Sequence, residues 1–300
     1  MKLITYYWER VKRHSMAMSG LAFIIFLILI AAIGPFFTVS PTEVNFDEKN
    51  LPPIGFSMEQ SRYSPEAGGL ISTYASGIWK HPFGTDGMGR DLLSQLISGA
   101  RVSLFVGLFA TGIAIIIGAM IGVSSAYFGG IVDIIMMRFT DIMMTFPFLL
   151  LLILIVYMFG SSLTLIILTI GLTGWTGTAR LVRSETLSLR TREFVIASKA
   201  LGASDLRIIF YHLLPNTISS IIVLATLSIP GAILAESALS FIGLGDPQVA
   251  SWGNILNAGQ NDIQTAWWIA VEPGFMLFLT IISFNFIGEG LRDAFDPESE

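Results

Sequence analysis

Six long apolar runs constrain this chain more than any other feature. They lie at about Met18 to Val39, Val102 to Tyr127, Ile134 to Phe159, Leu163 to Ala179, Ile218 to Phe241 and Ala266 to Ile287. A helix needs roughly 17 to 25 apolar residues to cross a bilayer, and each run qualifies. Inside lipid, backbone N–H and C=O groups find no water, so each run must satisfy its own hydrogen bonds as a helix. The expected fold is therefore an all-α membrane protein of six transmembrane helices. Charged residues make up 13% of the chain and apolar residues 53%, against a charged fraction of about 25% in soluble domains. The runs recur along the whole length, and no stretch is left for a separate soluble domain. There is no cysteine, which excludes disulfides, thiolate metal sites and thiol chemistry.

The first run follows a basic stretch, as in a signal peptide, but it is long for an h-region and no cleavage site follows Gly34, so a retained span is expected. Lys2, Arg10, Lys12 and Arg13 precede it, Arg138 lies between the second and third runs, and Arg180, Arg183, Arg190, Arg192, Lys199 and Arg207 crowd the stretch between the fourth and fifth. Basic loops stay on the cytoplasmic side, which places both termini in the cytoplasm of a cell (inner) membrane protein. The expected organisation is a cytoplasmic segment 1–17, a first span 18–39, an extracytoplasmic loop 40–101, a five-helix core 102–290 with a cytoplasmic loop 180–216, and a tail 291–300. Residues 40–101 carry more acids than bases and are too long and rich in Pro and Gly for a bare connection, so they read as an outward cap or surface loop.

The loop between the fourth and fifth runs, "TREFVIASKALGASDLRIIFYHLLPN", has the signals of two short helices. Thr191 suits an N-cap with Glu193 in the first turn, and Gly202 suits the position after a C-cap. Ser204 can cap a second helix beginning at Asp205, and Pro215 should interrupt passage into the next span. Ala197, Ser198, Ala200, Gly202 and Ala203 are small enough for another backbone to approach the turn. Local features alone leave open whether this is a docking element or a solvated connection.

Asp141, Glu236 and Glu272 fall in or near spans, where an ionisable group needs a partner, water or a path. Glu236, with Ser237 next to it, reads as a pathway or gate residue, or else as an interhelical hydrogen bond or a protonated structural acid; Asp141 is a second path candidate, or the partner of Arg138 one turn away. "HPFGTDGMGRD" could be drawn as a phosphate cradle or a divalent-metal loop, but its ligand spacing is irregular and a structural turn is the simpler reading. "GLFATG" and "GAMIG" suggest close helix packing. Trp252, Trp267 and Trp268 read as interfacial anchors. "GLGD" at Gly243 to Asp246 coincides with the short signature of intramembrane aspartyl proteases, but it falls at the end of the fifth run rather than at depth, and no Tyr-Asp pair in another span supplies a second catalytic acid. His14, His81 and His212 all fall outside the spans, so neither a Ser/His site nor a His-based metal site forms at membrane depth.

"ASKALG" followed by "LLP" resembles the cytoplasmic coupling loop of ABC-importer permeases, with Ala197, Gly202, Leu214 and Pro215 on the pattern and Ile196 and Ser198 departing from it. "HPFGTDGMGRDLLSQLISGARVSL", "DIMMTFPFLLL", "LAESALSFIGLG" and "GEGLRDAFDP" are similar to the C-type permease subunit of dipeptide, oligopeptide and nickel importers. That resemblance implies the type I importer permease fold, with a coupling helix between spans 4 and 5. It implies contact with an ATPase through Arg192, Ala197, Ser198, Lys199, Ala200, Leu201, Gly202, Ala203, Asp205, Arg207 and Pro215. It also implies a homologous second permease, one or two ABC ATPase subunits and an extracytoplasmic substrate-binding protein as partners, in a lipid bilayer and without nucleic acid. The chain carries no Gly-x-x-x-x-Gly-Lys-Ser/Thr loop, so the expectation is no cofactor and no catalysis here, with ATP and Mg held by the ATPases. Peptide is the favoured substrate over nickel, because no His or Cys lies at depth. A self-contained secondary transporter is the rival reading, and the lack of an evident internal repeat counts against it.

Overall fold

The computed structural model describes residues 2–64 and 69–295. In chain order the helices are α1 (Lys2–Arg13), α2 (Ser15–Ile33), α3 (Leu92–Phe128), α4 (Gly130–Thr145), α5 (Phe148–Phe159), α6 (Leu163–Thr173), α7 (Thr176–Leu189), α8 (Glu193–Ala200), α9 (Asp205–Ile208), α10 (Leu214–Phe241), α11 (Trp252–Gly259) and α12 (Trp268–Phe295). Strands β1 (Ser57–Ser64) and β2 (Gly69–Ser76) pair antiparallel, with Ser57 opposite Ser76. Among the described residues five helical stretches are long and apolar enough to cross a membrane, and six if α4 and α5 count as one broken span.

That broken span differs from the single run read at Ile134 to Phe159. α4 and α5 meet at 81°. The cause is local: Pro147 pushes the residue before it out of the helical region, and Phe146 is extended at φ −80°, ψ 129°. The fourth run likewise extends past Ala179, with α6 and α7 together covering Leu163–Leu189 and Gly174 and Trp175 between them. α3 is 37 residues long; at about 1.5 Å per residue it far exceeds a hydrocarbon thickness of about 30 Å, so part of it lies outside lipid.

The chain divides into two compact units. The first comprises Met1–Ile24, Phe105–Glu236 and Thr280–Glu300. Its core gathers Ala119, Val123, Val182, Val195, Ile208, Ile209 and Leu213, so α3, α7, α8 and α9 share one apolar centre. Gly118 and Gly122 of "GAMIG" make this possible: a Cβ there would stand 2.6 Å from Trp175 O and 2.5 Å from Ala179 O, a backbone approach that only glycine permits. Arg183 grips Asp133 through two 2.6 Å bonds, Nε to Oδ1 and Nη2 to Oδ2, tying α7 to α4, and Ser125 Oγ donates to the same carboxylate. α1 packs Val11 against Ala17 of α2 and Ala294 of α12, and His14 Nε2 lies 3.1 Å from Asp293 Oδ2. Large apolar side chains such as Ile142, Leu150 and Leu154 stay exposed along the spans, where lipid rather than water is the solvent.

The second unit comprises Ile25–Leu104 and Ser237–Leu279. It contains the β-hairpin, which the reading of 40–101 as a loop did not foresee. The "HPFGTDGMGRD" turn is a buried polar knot. His81, 4% exposed, has Nδ1 2.8 Å from Asp91 Oδ1 and Nε2 3.1 Å from Glu48 Oε2. Asp91 Oδ2 also accepts from Ser94 N and Oγ. Asp86 accepts from Met88 N, Arg90 N, Arg90 Nε and Gln95 Nε2. Trp252 and Trp268 are not interfacial anchors: both are fully buried. Their indole N–H groups donate to Leu96 O (3.0 Å) and Thr85 O (3.1 Å), which lets the large rings sit inside without an unpaired donor. Trp267 is half-buried, edge-on to Phe56 and Trp268.

Candidate functional site

Between α7 and α10 the chain forms the pair of helices read from the loop's capping signals. α7 is C-capped by Arg190, whose Nη1 donates to Ala126 O at 2.6 Å, so the exit from α7 is tied to the end of α3. The N-cap of α8 is Arg192 rather than Thr191, with extended backbone and no side-chain cap; the Thr191 hydroxyl instead donates back to Ser188 O. α8 ends as expected. Ala203 N donates to Ser198 O and Gly202 N to Lys199 O, a Schellman closure that needs the left-handed φ of +81° at Gly202. Ser204 Oγ then accepts from Arg207 N and opens α9. Acid at its first position suits the helix N-terminus, and Tyr127 OH donates to Asp205 Oδ1 at 2.6 Å.

Pro215 does not break the chain before the next span. The turn Ile209–Leu213 widens to a π-helix, and the helix runs without interruption from Asp205 to Phe241. A π turn moves carbonyls away from the proline ring and absorbs the missing N–H. Leu214 N bonds Ile209 O five residues back, and Asn216 Nδ2 donates to His212 O at 2.6 Å. The consequence is mechanical: α9 is a stiff extension of a membrane-spanning helix.

One side of this pair is anchored and the other is bare. Val195 and Ile208 are buried in the core cluster. Ser198 Oγ bonds Phe194 O and lies 3.3 Å from His212 Nε2. Outward, Leu201 is 88% exposed, with Leu206, Tyr211, Phe210 and Ile196 also exposed. Arg192, Ala197, Lys199, Ala200, Gly202, Asp205, Arg207 and Pro215 are exposed and Ser198 and Ala203 half-buried, so the residues singled out from the sequence fall on one accessible element. A Cβ at Gly202 would meet nothing within 4 Å. Beside the turn, Leu206, Arg207, Phe210 and Tyr211 bound a concavity of about 680 Å³.

The other candidates lie elsewhere. Asp141 accepts from Arg180 Nη2 at 2.6 Å and stands 3.9 Å from Arg138, so its main partner is on α7 and not one turn away. Glu236 and Ser237 are both buried, at 1% and 4% exposure. Glu272 keeps one carboxylate oxygen buried without a hydrogen bond. Among the described residues no group of three or more His, Asp or Glu could hold a metal ion. Sequence reading missed the anchors of the helix pair, Val195, Arg190 and the Asp133–Arg183 clamp. Only the acid at the head of the third run hinted at the clamp.

Residues 99–299 match the family described as binding-protein-dependent transport system inner membrane component, and residues 3–53 match the N-terminal TM domain of oligopeptide transport permease C. The dipeptide transport system permease protein DppC of Bacillus subtilis (strain 168) is 42% identical over 97% of this chain and 84% of its own length. The oligopeptide transport system permease protein OppC of Haemophilus influenzae (strain ATCC 51907 / DSM 11121 / KW20 / Rd) is 38% identical over 97% of this chain and 88% of its own. Among solved structures, an inward-facing conformation of the MetNI methionine ABC transporter superposes with a TM-score of 0.55 at 19% identity, over 67% of this chain and 97% of that one, a likeness of fold alone.

Proposed function

The chain belongs to the binding-protein-dependent transport system inner membrane components, the permeases of ABC importers, and from that premise we propose that it carries di- or oligopeptides inward as one of two permease subunits, with both termini and the α8–α9 pair in the cytoplasm. The basic residues flanking the spans support the orientation. The names of the relatives support the peptide cargo.

The observation that carries the reading is the bare apolar turn on a stiff helix. Leu201 and Leu206 project at the tip of an element whose other face is buried in the core, and α9 continues unbroken into a span. Exposed apolar side chains rimmed by Arg192, Lys199, Asp205 and Arg207 are costly in water and suit a protein partner. A partner gripping the turn can move the span as a rigid body. ATPase subunits are that partner in our account; they bind and hydrolyse ATP, a second permease completes the path, and an external binding protein supplies the peptide.

Two experiments test this. The tagged chain, purified in mild detergent, is expected to bring a second permease and Walker-motif ATPases with it. Recovery of the chain stably alone, transporting on an ion gradient without ATP, would replace the proposal with a secondary transporter. Gly202→Trp should abolish peptide uptake while the variant still inserts, because bulk at the turn blocks docking; uptake at the normal rate and expression sinks the coupling assignment.

A further inference from the structure

Packing within the first unit accounts for one side of α1 and leaves another bare. Val11 is buried against Ala17 and Ala294. Around it, Arg10 Nη1 reaches Ala294 O at 3.4 Å, the Tyr7 ring stands 4.7 Å from that of Phe295, and His14 Nε2 lies 3.1 Å from Asp293 Oδ2. This side of α1 clasps the end of α12, the last span.

Successive residues of a helix turn by about 100°, so Trp8 and Lys12 fall together on the flank away from Arg10, about 60° and 100° around from Val11. Trp8 is 41% exposed, and Lys12 Nζ stands 5.5 Å from its ring centroid, in cation–π range. Lys12 and Arg13 are exposed, as is Glu9, which lies between them around the helix. A bare indole beside an ammonium and a guanidinium is poorly served by water. It suits the headgroup level of a bilayer, where the ring enters the apolar boundary and the cations stay with the phosphates. The position agrees with the chemistry. α1 ends at Arg13 and the first span begins at Ser15. Two residues reach at most about 7 Å, within the distance of about 8 Å over which surface charge is felt at physiological salt. The helix is interrupted at His14, so α1 is free of the direction of the span.

We propose that this flank of α1 is a binding surface for anionic phospholipid headgroups, with Trp8 in the apolar boundary and Lys12 and Arg13 on the phosphates, so that α1 holds the end of the last span against the membrane. The inference goes beyond transport and does not depend on the cargo. A protein partner such as an ATPase is the competing occupant. The membrane is favoured because the first span already fixes its distance from α1, and because bases outnumber acid on the helix, Lys2, Arg10, Lys12 and Arg13 against Glu9.

The test uses the full chain in its assembled complex, in nanodiscs of equimolar phosphatidylcholine and phosphatidylglycerol with one or the other lipid brominated on its acyl chains. The difference in fluorescence quenching between wild type and Trp8→Phe reports Trp8 alone. Trp8 should be quenched by both lipids and more strongly by brominated phosphatidylglycerol. Each basic residue near the surface is worth about fivefold in headgroup enrichment, so Lys12→Gln with Arg13→Gln should erase the preference, and Glu9→Gln should raise it. Equal quenching of wild type by the two lipids overturns the proposal, as does a preference that survives the double substitution. Quenching by neither lipid also overturns it and puts a protein on α1 instead. If Trp8→Phe fails to assemble, native mass spectrometry of the lipids kept by the purified complexes decides: the wild type must retain more phosphatidylglycerol than the double variant, and equal retention refutes the proposal.

Discussion

Two polar interruptions of this greasy chain, the turn at 81–95 and the helix pair at 193–208, look alike in sequence: each mixes glycines, charges and small residues beside a span. In the structure they are opposites. The first closes on itself. His81, Asp86 and Asp91 are buried, and their polar atoms are met by Glu48, Ser94, Arg90 and Gln95. The second stays open, with Leu201, Leu206 and Tyr211 in solvent and the charges around them exposed. A region that satisfies its own polar groups needs no partner to be stable, whereas one that leaves apolar groups bare is finished by something else. Composition cannot tell them apart, because the difference lies in who the neighbours are.

Mutation should separate the two regions by what is lost. The largest effect is expected from Asp91→Ala. Removing the acceptor shared by His81 and Ser94 leaves buried polar groups unpaired, and stability should fall by about 3 to 5 kcal/mol, read as a lowered Tm of the complex in detergent. A fall under about 1 kcal/mol would mean the knot is dispensable. Leu201→Ala is the mirror case. The chain itself should lose less than about 0.5 kcal/mol, since the side chain touches little, while ATPase binding weakens by about tenfold, or about 1.4 kcal/mol. If stability drops and ATPase binding does not, the open region is structural and the contrast fails.

The smallest effect belongs to pH. The hydrogen bond from Lys80 holds the Glu48 carboxyl below its ordinary range, with His81 adding to the shift against a partial desolvation penalty. A depressed folded-state pKa means that Glu48 contributes fully above the unfolded value of about 4.3 and loses that contribution as pH falls below it. Unfolding midpoints of wild type and Glu48→Gln should therefore converge on acidification through that range and differ, slightly, above it. Curves that stay parallel from neutral pH downward would remove Glu48 from the knot's energetics.

The spans were legible because apolar length is a local property, and the caps at Gly202 and Ser204 because capping uses residues adjacent in the chain. Thr191 and Pro215 show the limit of the same signals. Thr191 had the right chemistry for an N-cap, yet its hydroxyl turned back to Ser188. Pro215 had the chemistry of a helix breaker, yet a π turn accommodated it. Local preferences of about 1 to 3 kcal/mol are overridden when burial of Ile208, Ile209 and Leu213 rewards a continuous helix. Trp252 and Trp268 failed for a related reason: a tryptophan near a span end is anchor or core depending on whether a distant carbonyl waits for its N–H.

What the sequence determined by itself was the solvent, the number of apolar crossings up to the bend at Pro147, the likeness to importer permeases and the position of the helix pair. All of these follow from runs and motifs a few residues to a few turns long. Only the tertiary structure decided that Asp141 answers to Arg180, that Asp133 clamps Arg183 and that the turn at 81–95 is a sealed knot. Those pairings join residues far apart in the chain, and a hydrogen bond between them exists only after helices have packed.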